Sequence, residues 1–173
     1  MVQNKIVAVE GDITQQTVDA IVNSANESLL PGSGVNGAIH KAAGFGLEEE
    51  CSTLGICREG EAKITKGYRL PAQWVIHTVG PVWEGGSYGE AQTLARCYQS
   101  CLTLALSYGI KTIAFPSIST GVYGFPLEKA AQIAVREVRQ FLDTQSDLKQ
   151  VIFACFEPEV YEFYQKLQKY KEL

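Results

Sequence analysis

The chain has 173 residues, of which 46% are hydrophobic and 20% are charged, so it is long enough to bury a core and too apolar to be disordered. Its net charge of −4 argues against general nucleic-acid binding, which relies on clustered lysine and arginine side chains. No apolar run approaches the ~20 residues that a membrane span needs. No export signal follows Met1, so we expect a cytoplasmic protein without a membrane partner.

Strand-like and helix-like segments alternate along the chain, which predicts an α/β layered fold. No linker or repeat interrupts the pattern, so we expect one domain over residues 1–173. In chain order, the predicted elements are strands 5–9 and 20–22, helices 35–43 and 47–54, strands 63–65 and 74–79, helix 94–105, strand 112–116, helix 127–141, strand 151–156 and helix 160–167. Gly109 is expected to end the third of these helices.

Two glycine-rich loops, residues 31–37 and 117–126, each lead into a predicted helix. Loop glycines permit positive φ and close backbone approach, and the N–H groups at a helix N-terminus bind anions without a basic surface. Together the two loops predict a two-sided cradle for a diphosphate.

Gly32, Gly34 and Gly37 also spell the dinucleotide-binding motif GxGxxG. That motif should follow a strand directly, whereas residues 27–31 intervene here, so a nicotinamide-dependent oxidoreductase is the weakest alternative. A loop whose glycines serve only its own turns is a better explanation, but it leaves the second loop unexplained.

The cysteines and histidines give no metal-binding pattern. The five cysteines contain no CxxC motif, and their odd number favours reduced thiols. Cys97 and Cys101 lie one helical turn apart on an apolar face, which favours core packing. Two histidines are too few for a typical zinc site, and we expect neither a metal nor a cofactor. His77, inside an apolar strand, is expected to be buried and hydrogen-bonded, whereas His40 faces either the core or a ligand.

Two residues stand at or just beyond predicted strand ends, where ligands of α/β sheets bind. Asp12 follows the first strand and is either a turn or N-cap residue or an acceptor for the exocyclic amine of a base. Phe156 ends the last strand and is either a core residue or a ring that stacks on a base.

Six blocks of the sequence together resemble the macrodomain family, and the MacroD-like class in particular. They are residues 11–14, 19–26, 34–40, 60–65, 75–81 and 118–126, and their order and spacing cover nearly the whole chain. The resemblance implies a three-layer α/β/α sandwich with a mixed central sheet. It also implies that ADP-ribose, or a related nucleotide sugar, binds in a cleft at the strand ends.

Carried over residue by residue, the resemblance implies that Asp12 accepts from the adenine amine beside the Ile13 backbone, and that Phe156 flanks the adenine. It implies that Asn26 hydrogen-bonds to the distal ribose, and that Tyr123 and Phe125 form the wall of the cleft at the ribose end. The diphosphate would lie between two sets of backbone groups, those of Gly34 and Val35 and those of Ser119, Thr120, Gly121, Val122, Tyr123 and Gly124.

The MacroD-like class is associated with hydrolysis of ADP-ribose conjugates, namely O-acetyl-ADP-ribose and mono-ADP-ribosyl esters on acidic protein side chains. In the class pattern, an aspartate serves the attacking water and a histidine follows one turn later. Here His40 is that histidine, but Asn36 stands at the aspartate position and Ser33 interrupts a run that is usually all glycine.

Asn36 cannot deprotonate a water, although its carbonyl oxygen can orient one. Loss of a general base commonly costs ~100- to 10,000-fold in rate. The resemblance therefore implies a slow or substrate-assisted hydrolase with Asn26, Asn36 and His40 as catalytic residues. The alternative is a reader that binds ADP-ribose or mono-ADP-ribosylated proteins without turnover.

Overall fold

The computed structural model describes residues 2–169, which form six strands, five α-helices and two short 3₁₀ helices. The 3₁₀ helices, Val2–Lys5 and Ile13–Gln15, lie on either side of β1. The other elements are β1 (Ile6–Glu10), β2 (Ala20–Ser24), α1 (Gly34–Ala43), α2 (Phe45–Ser52), β3 (Ala62–Lys66), β4 (Trp74–Thr78), α3 (Glu90–Ser107), β5 (Thr112–Phe115), α4 (Leu127–Thr144), β6 (Gln150–Cys155) and α5 (Pro158–Lys169).

The strands form one mixed sheet in the order β1-β6-β5-β2-β4-β3. The neighbouring strands β1, β6, β5, β2 and β4 run parallel to one another, and the edge strand β3 runs antiparallel to β4. The carboxyl ends of five parallel strands therefore meet at one edge of the sheet. In α/β sheets this is the edge at which ligands bind.

Helices cover both faces of the sheet. On one face α1 and α2 pack through Ile39 and Leu47 in a cluster that includes Val75 of β4. On the other face α3, α4 and α5 enclose the larger cluster, in which aromatic rings of α3, β5, β6 and α5 contact one another in the order Tyr98, Phe115, Phe153 and Tyr164. This confirms the three-layer α/β/α sandwich with a mixed central sheet.

The predicted strands and helices are confirmed with shifts of a few residues at their ends. Helix α3 ends at Ser107, and Gly109 follows with a φ of 66°. Strand β6 ends at Cys155, so Phe156 lies just beyond the sheet. The two 3₁₀ helices were not predicted, because three or four residues are too few to show a helical period. Within residues 2–169, no helix has the length and apolarity to cross a membrane.

The five cysteines are free and buried, although burial was predicted only for Cys97 and Cys101. Cys97 and Cys101 lie on the face of α3 that packs in the core, and both are fully buried. Burial raises the pKa of Cys51 and of Cys57 to about 11, so neither thiol is a nucleophile at neutral pH. Residues 2–169 contain no group of three or more acidic, histidine or cysteine side chains placed to hold a metal.

Candidate functional site

A cleft of about 260 Å³ opens at the carboxyl edge of the sheet, between the start of α1 and the loop that follows β5. Its lining comes from three segments, and it consists of Ser24, Ala25, Asn26, Gly32, Ser33, Gly34, Val35, Asn36, Ser117, Ser119, Gly121, Val122 and Tyr123. A second depression, of about 330 Å³, lies at the opposite edge around the β3–β4 turn and has none of the predicted site residues in its lining. The predicted diphosphate loops thus face each other across the smaller space.

The first wall of the cleft is the N-terminus of α1. Gly34 begins the helix with a φ of 59°, which is unfavourable for residues that carry a Cβ. Ser33 precedes it, but its side chain makes no capping hydrogen bond. A Cβ on Gly37 would lie only 2.4 Å from the Gly32 carbonyl oxygen, so the helix and the loop can approach this closely only with glycine there. The first-turn N–H groups are therefore left to a ligand.

The second wall is the loop between β5 and α4. Ser119 and Gly124 have φ values of 65° and 69°, and the loop closes on itself through Phe125 N–H to the Ser119 carbonyl at 2.9 Å. Among residues 2–169, no hydrogen bond uses the N–H groups of Thr120, Gly121 or Val122. Successive free N–H groups of this kind form an anion-binding concavity.

Asp12, Ile13 and Phe156 follow β1 and β6 at the same edge of the sheet, but none of the three lines the cleft. The Gly11 N–H donates to the Cys155 carbonyl at 2.9 Å and so ties the two strand ends together. Asp12 caps the second 3₁₀ helix, and its Oδ1 accepts from the Thr14 N–H at 2.9 Å. The Phe156 ring is 78% exposed and Ile13 is buried. Asp12 is thus the N-cap that one alternative predicted, with Oδ2 still able to accept from a ligand.

Asn26 and Asn36 both line the cleft, and both donate to the Leu30 carbonyl oxygen. The Nδ2 distances are 3.1 Å for Asn26 and 3.0 Å for Asn36. Ser28 Oγ donates to Asn26 Oδ1 at 2.7 Å. Asn36 is only 5% exposed, and its Oδ1 accepts from Asn23 Nδ2 at 2.8 Å. One lone pair of the Asn36 carbonyl is therefore already engaged inside the protein.

His77 is the buried, hydrogen-bonded histidine that the sequence predicted. Its Nδ1 lies 3.1 Å from Asn23 Nδ2, and its Nε2 lies 2.9 Å from Thr65 Oγ1 and 3.8 Å from Cys51 Sγ. Burial, and secondarily the neighbouring His40, lowers the pKa of His77 to about 3. The ring is therefore neutral at physiological pH.

His40 is 7% exposed and does not line the cleft. Its ring centroid lies 6.4 Å from that of His77, on the inner side of α1. Burial lowers the pKa of His40, and the Glu48 carboxylate opposes this in part. The Leu29 backbone also lies near the ring and favours its charged form, although no described residue reaches either ring nitrogen with normal hydrogen-bond geometry. Of the two alternatives for His40, the structure shows the core-facing one.

Phe125 is also inside the protein instead of on the ribose wall. It is 2% exposed and packs on the Trp83 ring with centroids 4.7 Å apart. Its neighbour Tyr123 does line the cleft.

Several residues of the site were missed by sequence reasoning. Ser24 ends β2, Ala25 follows it directly, and Ser117 lies two residues after β5, so their positions at strand ends could have indicated them. Asn23 and Thr65 are buried polar residues within strands, and an asparagine in an otherwise apolar strand is a signal that we did not use.

Comparisons with known proteins agree with this geometry. A model of the Macro domain family matches residues 22–134. A macro domain-containing protein of Chlorobaculum tepidum is 60% identical over 159 residues, which cover 92% of each chain. A Citrobacter rodentium protein named O-acetyl-ADP-ribose deacetylase is 50% identical over 168 residues, or 95% of each chain.

Among solved structures, a Trypanosoma brucei macrodomain in complex with ADP-ribose aligns with a TM-score of 0.90 and 46% identity. The alignment covers 94% of this chain and 68% of that one. The resemblance inferred from the sequence is confirmed, and this chain belongs to the Macro domain family.

Proposed function

We propose that the chain binds ADP-ribose along the carboxyl edge of the sheet, with adenine beside Asp12 and Phe156 and the distal ribose beside Asn26. The observation that carries the proposal is the order of these groups along the edge. The base end lies over β1 and β6, and Asn26 follows β2, three strands from β1. Three strand spacings span about 14 Å, which suits an extended dinucleotide-like ligand.

The diphosphate lies between the N-terminus of α1 and the loop after β5. Gly34 and Val35 supply N–H groups from one side, and Ser119 through Tyr123 supply them from the other. Fixed backbone dipoles explain how a protein with a net charge of −4 holds an anion. Since exposed lysine and arginine contribute little, affinity depends only weakly on salt.

The proposed activity is hydrolysis of O-acetyl-ADP-ribose and of mono-ADP-ribosyl esters on protein side chains. A relative that is 50% identical carries the name O-acetyl-ADP-ribose deacetylase, which favours this chemistry. Asn26 and the free lone pair of Asn36 hold the attacking water at the ribose end. Asn36 cannot take its proton, so a phosphate oxygen of the substrate accepts it and turnover is slow. His40 lies on the inner side of α1 and does not reach the water.

Calorimetry and mass spectrometry test the two halves of the proposal separately. ADP-ribose titrated in the presence of a chelator should show one saturable site, which Gly121→Val should remove. O-acetyl-ADP-ribose and a mono-ADP-ribosylated protein, each incubated with wild type, should release ADP-ribose, and the Gly121→Val variant is the matched control. Absence of heat at millimolar ligand, near −4 kcal/mol, excludes binding. Binding without product release supports the reader of ADP-ribosylated proteins instead.

A further inference from the structure

A buried chain of hydrogen bonds runs from the edge strand β3 to the ribose end of the cleft. Thr65 Oγ1 contacts His77 Nε2 at 2.9 Å, and His77 Nδ1 contacts Asn23 Nδ2 at 3.1 Å. Asn23 Nδ2 also donates to Asn36 Oδ1 at 2.8 Å, and Asn36 Nδ2 donates to the Leu30 carbonyl at 3.0 Å. The side chains of Asn23, His77 and Thr65 are each at most 1% exposed. Strand register creates the central contact, because Asn23 and His77 are partners across β2 and β4.

The direction of every bond in this chain is determined by its last acceptor. The Leu30 carbonyl can only accept, so Asn36 must turn its NH₂ toward it and its oxygen toward Asn23. Asn23 must then present its NH₂ to that oxygen, and the second hydrogen of the same NH₂ reaches His77 Nδ1. His77 Nδ1 is therefore a lone pair and Nε2 carries the proton, which it donates to Thr65. The low pKa of His77 keeps the ring neutral, so only one of its two nitrogens carries a proton, and the hydrogen bonds determine which one.

This series of hydrogen bonds ends at Asn26, the residue that contacts the distal ribose in the proposed function. Leu30 O accepts from Asn26 Nδ2 as well as from Asn36, so a fixed Asn36 fixes the carbonyl that orients Asn26. We propose that Asn23 and His77 are positioning residues for Asn26, acting through Asn36 and the Leu30 carbonyl. The proposal rests on the proposed function in one respect, namely that Asn26 contacts the distal ribose.

Two ligands separate positioning from general destabilisation, because ADP lacks the distal ribose of ADP-ribose. Asn23→Ala should weaken ADP-ribose binding about 3- to 10-fold, the range expected from loss of one buried hydrogen bond, and should leave ADP binding within about 2-fold. Thr78→Val is the matched control, since Thr78 follows His77 on β4 and its hydroxyl donates to the Glu61 carbonyl, a hydrogen bond that is not part of the series from Thr65 to Leu30. It should lower stability and leave the ratio of the two affinities unchanged. Equal weakening of both ligands by Asn23→Ala overturns the proposal.

A double-mutant cycle tests whether Asn23 acts through Asn36. Asn36→Ala should lower the affinity ratio, and adding Asn23→Ala to it should lower that ratio no further. Additive losses would mean that Asn23 reaches the cleft by another route, and the proposal would be wrong. Asn26→Ala checks the premise: if it leaves the ratio unchanged, the ribose contact in the proposed function fails. If Asn26→Ala lowers the ratio and Asn23→Ala does not, the ribose contact stands and the positioning is wrong.

Nitrogen NMR of the wild-type protein tests the hydrogen-bond directions even if the Asn23→Ala variant does not fold. His77 should show a protonated Nε2 and an unprotonated Nδ1 from pH 5 to pH 8. The opposite tautomer, or titration of the ring within that range, overturns the hydrogen-bond directions and the proposal with them. If the wild-type protein binds neither ADP-ribose nor ADP, the proposed function is refuted. The NMR measurement still tests the buried hydrogen bonds in that case.

Discussion

The substitution Asn36→Asp introduces the acid that the class pattern carries, and the structure predicts what that acid would meet. One carboxyl oxygen would keep the bond from Asn23 Nδ2, now 2.8 Å from Asn36 Oδ1. The other would replace an NH₂ that donates to the Leu30 carbonyl at 3.0 Å, so two acceptors would face each other. The introduced carboxyl satisfies both neighbours only when it is protonated. We therefore expect its folded-state pKa to lie above the ordinary ~3.9 of aspartate.

The cost of Asn36→Asp can be worked out from the contacts that change. The Leu30 carbonyl keeps its bond from Asn26, so loss of the Asn36 bond alone costs about 0.5–1.5 kcal/mol. That loss occurs when the carboxyl ionises, so it is part of the pKa shift and is not added to it; each unit of raised pKa corresponds to about 1.4 kcal/mol at pH 7. A charge-assisted bond from Asn23 offsets part of this. The expected net loss in the free energy of unfolding at pH 7 is about 1–3 kcal/mol.

The pH dependence of that loss has a definite sign. A folded-state pKa above the unfolded value means that the native state binds more protons between the two values. The part of the loss due to ionisation is therefore absent below about pH 4 and grows as the pH rises to the folded-state pKa. Only the ionised carboxyl can accept a proton from water, so any gain in turnover should also appear above that pKa.

Three measurements check the prediction for Asn36→Asp. They are urea unfolding at pH 4 and pH 7, carbon NMR titration of the introduced carboxyl, and single-turnover hydrolysis of O-acetyl-ADP-ribose across the same pH range. Asn36→Ala is the control, because it removes the bond to the Leu30 carbonyl, together with the bond from Asn23, without adding a titrating group. A carboxyl pKa at or below 3.9 together with undiminished stability at pH 7 would refute the reasoning, since the Leu30 carbonyl would then impose no requirement on position 36.

Three further predictions concern the cleft walls and the base end. In Gly121→Val, no atom lies within 4 Å of the new Cβ, so the free energy of unfolding should change by only about 0.5 kcal/mol. Calorimetry should nevertheless show at least about a 10-fold loss of ADP-ribose affinity. Normal binding by this variant would exclude the loop as the phosphate site. Gly80→Ala brings a Cβ to 2.1 Å from Ser119 Oγ, which should cost about 1–3 kcal/mol in urea unfolding, and Ser119→Gly in the same chain should recover part of it. Asp12→Asn keeps the Oδ1 acceptor for the Thr14 N–H but replaces Oδ2 by a donor, so stability should change little. The variant should lose the preference of the wild type for ADP-ribose over its hypoxanthine analogue. A retained preference would exclude Asp12 as the adenine acceptor.

Local sequence patterns were sufficient for the elements and for the two loops. The apolar period of 3.6 in α3 and α4 and the short apolar runs of the strands are properties of consecutive residues. Positive φ at Gly34 and Gly124 follows from residue type, since glycine adopts it without a steric penalty. The macrodomain resemblance could be found for the same reason, because its blocks are continuous stretches of sequence.

The roles of His40, Asn36 and Phe125 depended on tertiary structure. Helical phase alone left His40 facing either the core or a ligand, and the packing of α1 on the sheet turned it toward His77. Phe125 lies within the second glycine-rich loop, yet its ring packs against Trp83 in the core.

Asn36 shows most clearly where sequence reasoning ended. Its carbonyl is engaged by Asn23 and its amide by Leu30, contacts that join β2, α1 and the loop between them. Asn23 is itself oriented by His77, 54 positions away in the chain, and the two meet only because β2 and β4 pair in one parallel register. No sequence period encodes which residues become partners across strands so distant in the chain. The sequence by itself therefore determined which two glycine-rich loops border the cleft, and the strand register decided which way the hydrogen bonds behind them point.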